Sequence, residues 1–172
     1  SGDGSAAAAG SRINVSSTNG NITLNANNSV VNMTTGSFKA LSLDVGGEYA
    51  SVNLKTQTGN VVLNGTSYSG RGVDIAPSAQ SAVVNIASNS GNVIINGYST
   101  SSFGGYGIFF NSTHGATGVN VTTVSGDITL HGDSIGTSDA IALGGDETVS
   151  VNNISSQGCL LYTSDAADDM QC

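Results

Sequence analysis

The chain has 172 residues and a mass of 17.0 kDa, a size that suits one ordinary domain or a piece of a longer repetitive chain. Lys plus Arg number 4 against 12 Asp plus Glu, a net charge of −8, and such a chain offers no cationic footprint for counterion release, which excludes nucleic-acid binding. Charged residues are only 9% and Pro and Trp number 1 and 0, yet 38% of residues are hydrophobic; collagen, Pro-rich linkers and acidic disordered tails are excluded, and no apolar run approaches the roughly 18 residues of a membrane helix, so no membrane insertion of this segment is expected.

Residues 1–10 open with Ser1-Gly2-Asp3-Gly4-Ser5 and Ala6 to Ala9, without an initiator Met or the charged and apolar regions of a signal peptide. They read as a flexible or truncated segment at an internal or processed start. Residues 11–158 carry an internal repeat. Its first phrase is an Asn between two aliphatics: Ile13-Asn14-Val15, Val52-Asn53-Leu54, Val84-Asn85-Ile86 and Val119-Asn120-Val121, with a degenerate fifth copy at Val151-Asn152-Asn153. These asparagines stand 39, 32, 35 and 32 residues apart, and a glycine follows each by six: Gly20, Gly59, Gly91, Gly126 and Gly158. In the first four copies the glycine opens a second phrase, as in Gly59-Asn60-Val61-Val62-Leu63 and Gly126-Asp127-Ile128-Thr129-Leu130. A third phrase follows a polar stretch: Leu41-Ser42-Leu43, Val73-Asp74-Ile75, Ile108-Phe109-Phe110 and Ile141-Ala142-Leu143.

Each phrase alternates aliphatic and polar residues, the period of a strand with one buried face. Three such strands per repeat, separated by Gly, Asn and Ser turns, predict an all-β fold: a parallel β-solenoid, three short strands per turn, about four turns, uncapped at both ends. An antiparallel sandwich gives no reason for a fixed three-phrase cycle. Alternation points the marker asparagines outward, where their amides can form a ladder, with Phe110 inward and Phe109 outward.

The phrase Gly-Asn/Asp-Ile/Val-x-Leu-x-Gly, a Ser/Thr/Gly-rich stretch and a Gly-x-Gly-Val-x-Ile-like strand, closest at Gly59 to Ile75 and Gly91 to Phe110, together resemble the filamentous haemagglutinin-like repeats of bacterial adhesins. The resemblance covers roughly residues 11–158. It implies a right-handed β-helix in a secreted or surface-exposed adhesin, either a two-partner secretion exoprotein or an autotransporter passenger, with an outer-membrane translocator as export partner. After Gly158 the phrase breaks into Cys159-Leu160-Leu161-Tyr162-Thr163-Ser164-Asp165. This run resembles translated sequencing-adapter read-through, so 159–172 is read as a non-native or disordered tail and neither Cys159, Cys172 nor its acids are assigned to a site.

His114 and His131 have no metal-ligand spacing around them, and His131 takes the place of Asn25, Asn64 and Asn96, a polar turn position. No catalytic residue, metal or cofactor is expected. The alternative is a β-helical polysaccharide lyase or hydrolase, which needs carboxylates converging on one face. Asp74, Asp127, Asp133, Asp139, Asp146 and Glu147 are the acids available. Asp74 alone sits in a third phrase, and Asp127 could join Asp133 or Asp139 in a groove, yet Asp127, Asp133 and Asp139 each have an equally good turn or solvated role. A Thr-x-Thr ice-binding lattice fails because the second strands read Ile-Thr-Leu, Val-Val-Leu, Val-Ile-Ile and Ile-Thr-Leu. Tyr98, Phe103, Tyr106, Phe109 and Phe110 form the one aromatic-rich stretch. They fill a wider turn of the core at least as well as they form a contact patch; Tyr98, Phe103, Tyr106 and Phe109 are the candidate contacts for a host-surface glycan or protein.

Overall fold

The computed structural model describes residues 10–29, 38–101, 105–112, 117–135, 138–144, 150–164 and 167–171. Strands are the regular elements among the described residues, and no helix occurs among them. The first phrases form β1 (Arg12–Ser17), β4 (Ser51–Thr56), β7 (Val83–Ser88), β10 (Thr117–Thr123) and β13 (Ser150–Ser155), which pair side by side, all parallel. The second phrases form β2 (Ile22–Asn28), β5 (Val61–Ser67), β8 (Val93–Ser99) and β11 (Ile128–Ser134), again parallel. The third phrases form β3 (Phe38–Val45), β6 (Gly70–Pro77), β9 (Ile108–Asn111) and β12 (Ile141–Gly144).

This is a parallel β-solenoid. The four strands of the third sheet make about three axial turns, slightly fewer than the four counted from the phrases. Register keeps every phrase in phase: Val52 lies opposite Val84, Leu63 opposite Ile95, and Ile75 opposite Phe110. The core is therefore a column of aliphatics. Val61, Leu63, Val84, Ile86, Val93, Ile95, Val121 and Leu130 are fully buried, as is Phe110, the largest side chain in the core.

Stacking is what buries them. Ile13 and Val15 occupy the same inward phase as Val52 and Leu54, yet in the first coil they remain 60% and 40% exposed against 7% and 2%. A single coil would leave all its aliphatics in water, so burial at roughly 25 cal/mol per Å² is gained only between coils.

Two polar devices lock the turn between the first and second sheets. Asn21 Oδ1 accepts from the backbone N–H of Asn60 at 2.8 Å, Asn60 Oδ1 from Asn92 at 2.8 Å, and Asn92 Oδ1 from Asp127 at 2.9 Å. Beside this row, Ser88 Oγ accepts from Gly91 N at 2.9 Å and donates to Gly59 O, while Thr123 Oγ1 accepts from Gly126 N at 3.0 Å and donates to Gly91 O. The glycines allow the coils to approach this closely: a Cβ on Gly91 would lie 2.1 Å from Gly59 O. At the turn back to the first sheet, Tyr49 (φ 55°) and Ser81 (φ 60°) hold equivalent left-handed positions in consecutive coils.

The fifth repeat copy is shifted by one residue from the sequence reading. Asn120 lies opposite Asn153, and Val119 opposite Asn152, so Asn153 holds the place of the marker. Asn153 is also the residue three before Ser156, the hydroxyl equivalent to Thr123. After Gly158, β14 (Leu160–Ser164) pairs parallel with β11 and then antiparallel with β15 (Ala167–Gln171). Leu160 and Tyr162 pack against the core beside Ile128 and Leu130.

Candidate functional site on the outer faces of the second and third sheets

The outward positions of the first sheet carry the expected ladder. Asn53 Nδ2 donates to Asn14 Oδ1 at 2.8 Å, Asn85 Nδ2 to Asn53 Oδ1 at 2.7 Å, and Asn120 Nδ2 to Asn85 Oδ1 at 2.8 Å. A second ladder runs along the second sheet, Asn64 to Asn25 and Asn96 to Asn64, both at 2.7 Å. His131 lies opposite Asn96 in that row, as its repeat position predicts, but inside β11 rather than at a turn, because the strand runs on through Gly132 to Ser134.

On the third sheet, Asp74 alternates with the inward Val73 and Ile75, so its side chain projects from the outer face, yet it is fully buried. Arg71 Nη1 donates to Asp74 Oδ1 at 2.7 Å, and Lys39 Nζ forms an ion pair with Asp74 Oδ2. Lys39 also reaches Asp44 at 3.8 Å. A buried carboxylate costs several kcal/mol of solvation unless it is paired, and here two of the chain's four cations supply that pairing. The guanidinium carbon of Arg71 stands 3.9 Å from the centroid of the Phe109 ring and 5.8 Å from that of Tyr106. Those two rings contact each other at 4.7 Å, tilted by 35°. Arg71 Nε is buried without a hydrogen-bond partner, which the aromatic stacking of a weakly hydrated guanidinium accommodates.

The aromatic stretch is thus divided. Tyr106 and Phe109 belong to the charged cluster on the third sheet, whereas Tyr98 stands on the outer face of the second, in register between Thr66 and Asp133. Phe103 lies outside the described residues. Sequence reasoning missed Lys39 and Arg71, although they stand 32 residues apart, the spacing of Asn53 and Asn85; the register makes them neighbours.

The acids considered for catalysis are dispersed. Asp127 sits at the turn before β11, where its Oδ1 accepts from the backbone N–H of Cys159 at 2.8 Å, and Cys159 is disulfide-bonded. Asp133 is near the far end of β11, about 20 Å from Asp127 at a strand's rise per residue. Asp139 is exposed on a connection. His114, Asp146 and Glu147 lie outside the described residues. Among the described residues no group of three His, Cys, Asp or Glu gathers to hold a metal ion, and no helix is long and apolar enough to cross a membrane. No known family, curated protein or solved structure matches this chain.

Proposed function

We propose that this chain is a stalk segment of a secreted or surface-exposed bacterial adhesin: a stiff, repetitive spacer that also presents contacts to a host-surface glycan or protein and reaches the surface through an outer-membrane translocator. The observation that carries this reading is the unbroken amide ladder Asn14–Asn53–Asn85–Asn120 over a continuous aliphatic column. Every coil is bonded to the next by backbone, side chain and core together, so tension along the axis is shared by many bonds and a protease finds few unpaired segments. The described strands span on the order of 20 Å along the axis, and length grows linearly with added coils. Mechanism on this reading is mechanical and adhesive.

The separation of Asp127 from Asp133 supports binding without turnover, since paired glycosidase carboxylates stand about 5 to 10 Å apart. The test has two parts. Limited proteolysis of the folded chain is expected to leave residues 51–99 intact under conditions that digest a heat-denatured sample. Incubation with acidic and neutral polysaccharides is expected to release no new reducing or unsaturated ends. Release that disappears in Asp74→Asn or Asp127→Asn would establish the lyase or hydrolase alternative instead.

A further inference from the structure

We propose that the outer face of the second sheet is a saccharide groove in which Tyr98 is the stacking platform for a neutral, extended oligosaccharide lying along the solenoid axis. The proposal rests on the adhesive half of the reading above and gives it a place and a ligand class.

The groove has a volume of about 260 Å³. Asn64, Asn96 and His131 form one wall, and Thr66, Tyr98 and Asp133 the other, two outward columns on the same strands. The floor is backbone. Gly65 and Gly97 approach the third sheet so closely that a Cβ there would lie 2.1 Å from Gly72 O or 2.0 Å from Gly107 O. Behind this floor the second and third sheets therefore meet backbone to backbone, and no side chain at Gly65 or Gly97 separates them.

The wall chemistry selects the ligand. A primary amide has two N–H donors, and the ladder uses one of each, Asn64 to Asn25 and Asn96 to Asn64. The second N–H remains for a ligand, so donors recur once per coil at about 4.8 Å. That repeat is close to the advance of one pyranose in an equatorially linked chain. Tyr98 supplies an aromatic surface with a polar tip, suited to the C–H face of a sugar ring. No Lys or Arg lines the groove, Asp133 does, and the whole chain carries −8; an anionic glycan would be repelled and a neutral one would not. Tyr106 and Phe109 are poorer platforms because they cover each other and Phe109 is faced by Arg71.

The experiment is a titration of the full chain with neutral β-1,4-linked hexamers of glucose and of N-acetylglucosamine, followed by ¹H–¹⁵N correlation spectra. At least one hexamer should give saturable shifts in the Asn64 and Asn96 side-chain amides. Tyr98→Thr, which places in this row the residue that Thr66 already provides one coil earlier, should weaken binding about tenfold or more, whereas Tyr106→Thr should not. A galacturonate hexamer should bind at least about tenfold more weakly than the neutral ligand. Melting curves of both variants establish that each is folded. No saturable shift with either neutral hexamer, tighter binding of the galacturonate, or undiminished binding by folded Tyr98→Thr would overturn the groove and leave the stalk reading standing. Rapid proteolysis of the folded parent chain would instead overturn the stalk reading, whatever the groove binds.

Discussion

Arg71 spans a buried acid and an aromatic ring: its Nη1 donates to Asp74 at 2.7 Å while its guanidinium carbon lies 3.9 Å from the centroid of Phe109. Phe109 belongs to the next coil, and Lys39, which also pairs with Asp74, to the preceding one. One fully buried carboxylate thus ties three successive strands of the third sheet together. Removing one partner of a buried ion pair costs about 3 to 5 kcal/mol, reduced here because Lys39 and Arg71 retain 25% and 19% side-chain exposure and can turn toward water. Asp74→Ala should lower unfolding free energy by about 2 to 3 kcal/mol in urea, and Phe109→Leu by about 1 kcal/mol.

The amide ladder gives a graded expectation. Asn85 both donates to Asn53 and accepts from Asn120, whereas Asn14 only accepts. At about 1 kcal/mol per hydrogen bond, Asn85→Ala should cost about 2 kcal/mol and Asn14→Ala about half of that. His131→Asn should extend the second ladder beyond Asn96 and stabilise by about 0.5 to 1 kcal/mol. Equal losses at Asn14 and Asn85 would mean that the amides act singly.

Glycines separate by position. Gly91→Ala drives a Cβ to 2.1 Å from the backbone oxygen of Gly59, whereas at Gly144 nothing lies within 4 Å. Backbone cannot give way as a flexible side chain does, so Gly91→Ala should cost about 3 kcal/mol or more and lower the melting temperature by roughly 5 °C or more. Gly144→Ala should stay within about 0.5 kcal/mol of the parent.

Tyr162 carries a pH expectation. Burial against the core raises its phenol above 10.0, because the phenolate is poorly solvated there. A folded-state value raised above the unfolded one means that the contribution is fully present below about pH 10 and is lost as pH rises through the folded-state value. Alkaline titration followed by phenolate absorbance should show a late ionisation step above pH 10, together with loosening of β14. Tyr162→Phe should remove that late step.

Strand phase was legible because alternation is a local property: Val52, Leu54, Val84 and Ile86 announce an inward face without knowledge of any partner. The outward ladder followed from the same parity. The marker of the fifth copy was misplaced because Val151-Asn152 imitates the phrase, while the residue opposite Asn120 is fixed by pairing with β10, which only the register reveals. Lys39 and Arg71 escaped notice for the same reason. Their importance arises when coils of unequal length bring residues 32 apart into contact on Asp74. Tyr98 and Tyr106 looked like one patch because they are close in sequence, but the chain passes from the second sheet to the third between them.

The central claim is that successive repeats stack parallel and in register, and nuclear Overhauser contacts in an isotopically labelled sample test it most directly. Side-chain amide protons of Asn53 should show cross-peaks to those of Asn14 and Asn85, and Asn85 to Asn120, alongside methyl contacts of Val52 with Val84 and Leu63 with Ile95. Close Hα–Hα contacts between β4 and β7, the mark of antiparallel pairing, or Asn53 and Asn85 amides without mutual cross-peaks, would contradict it.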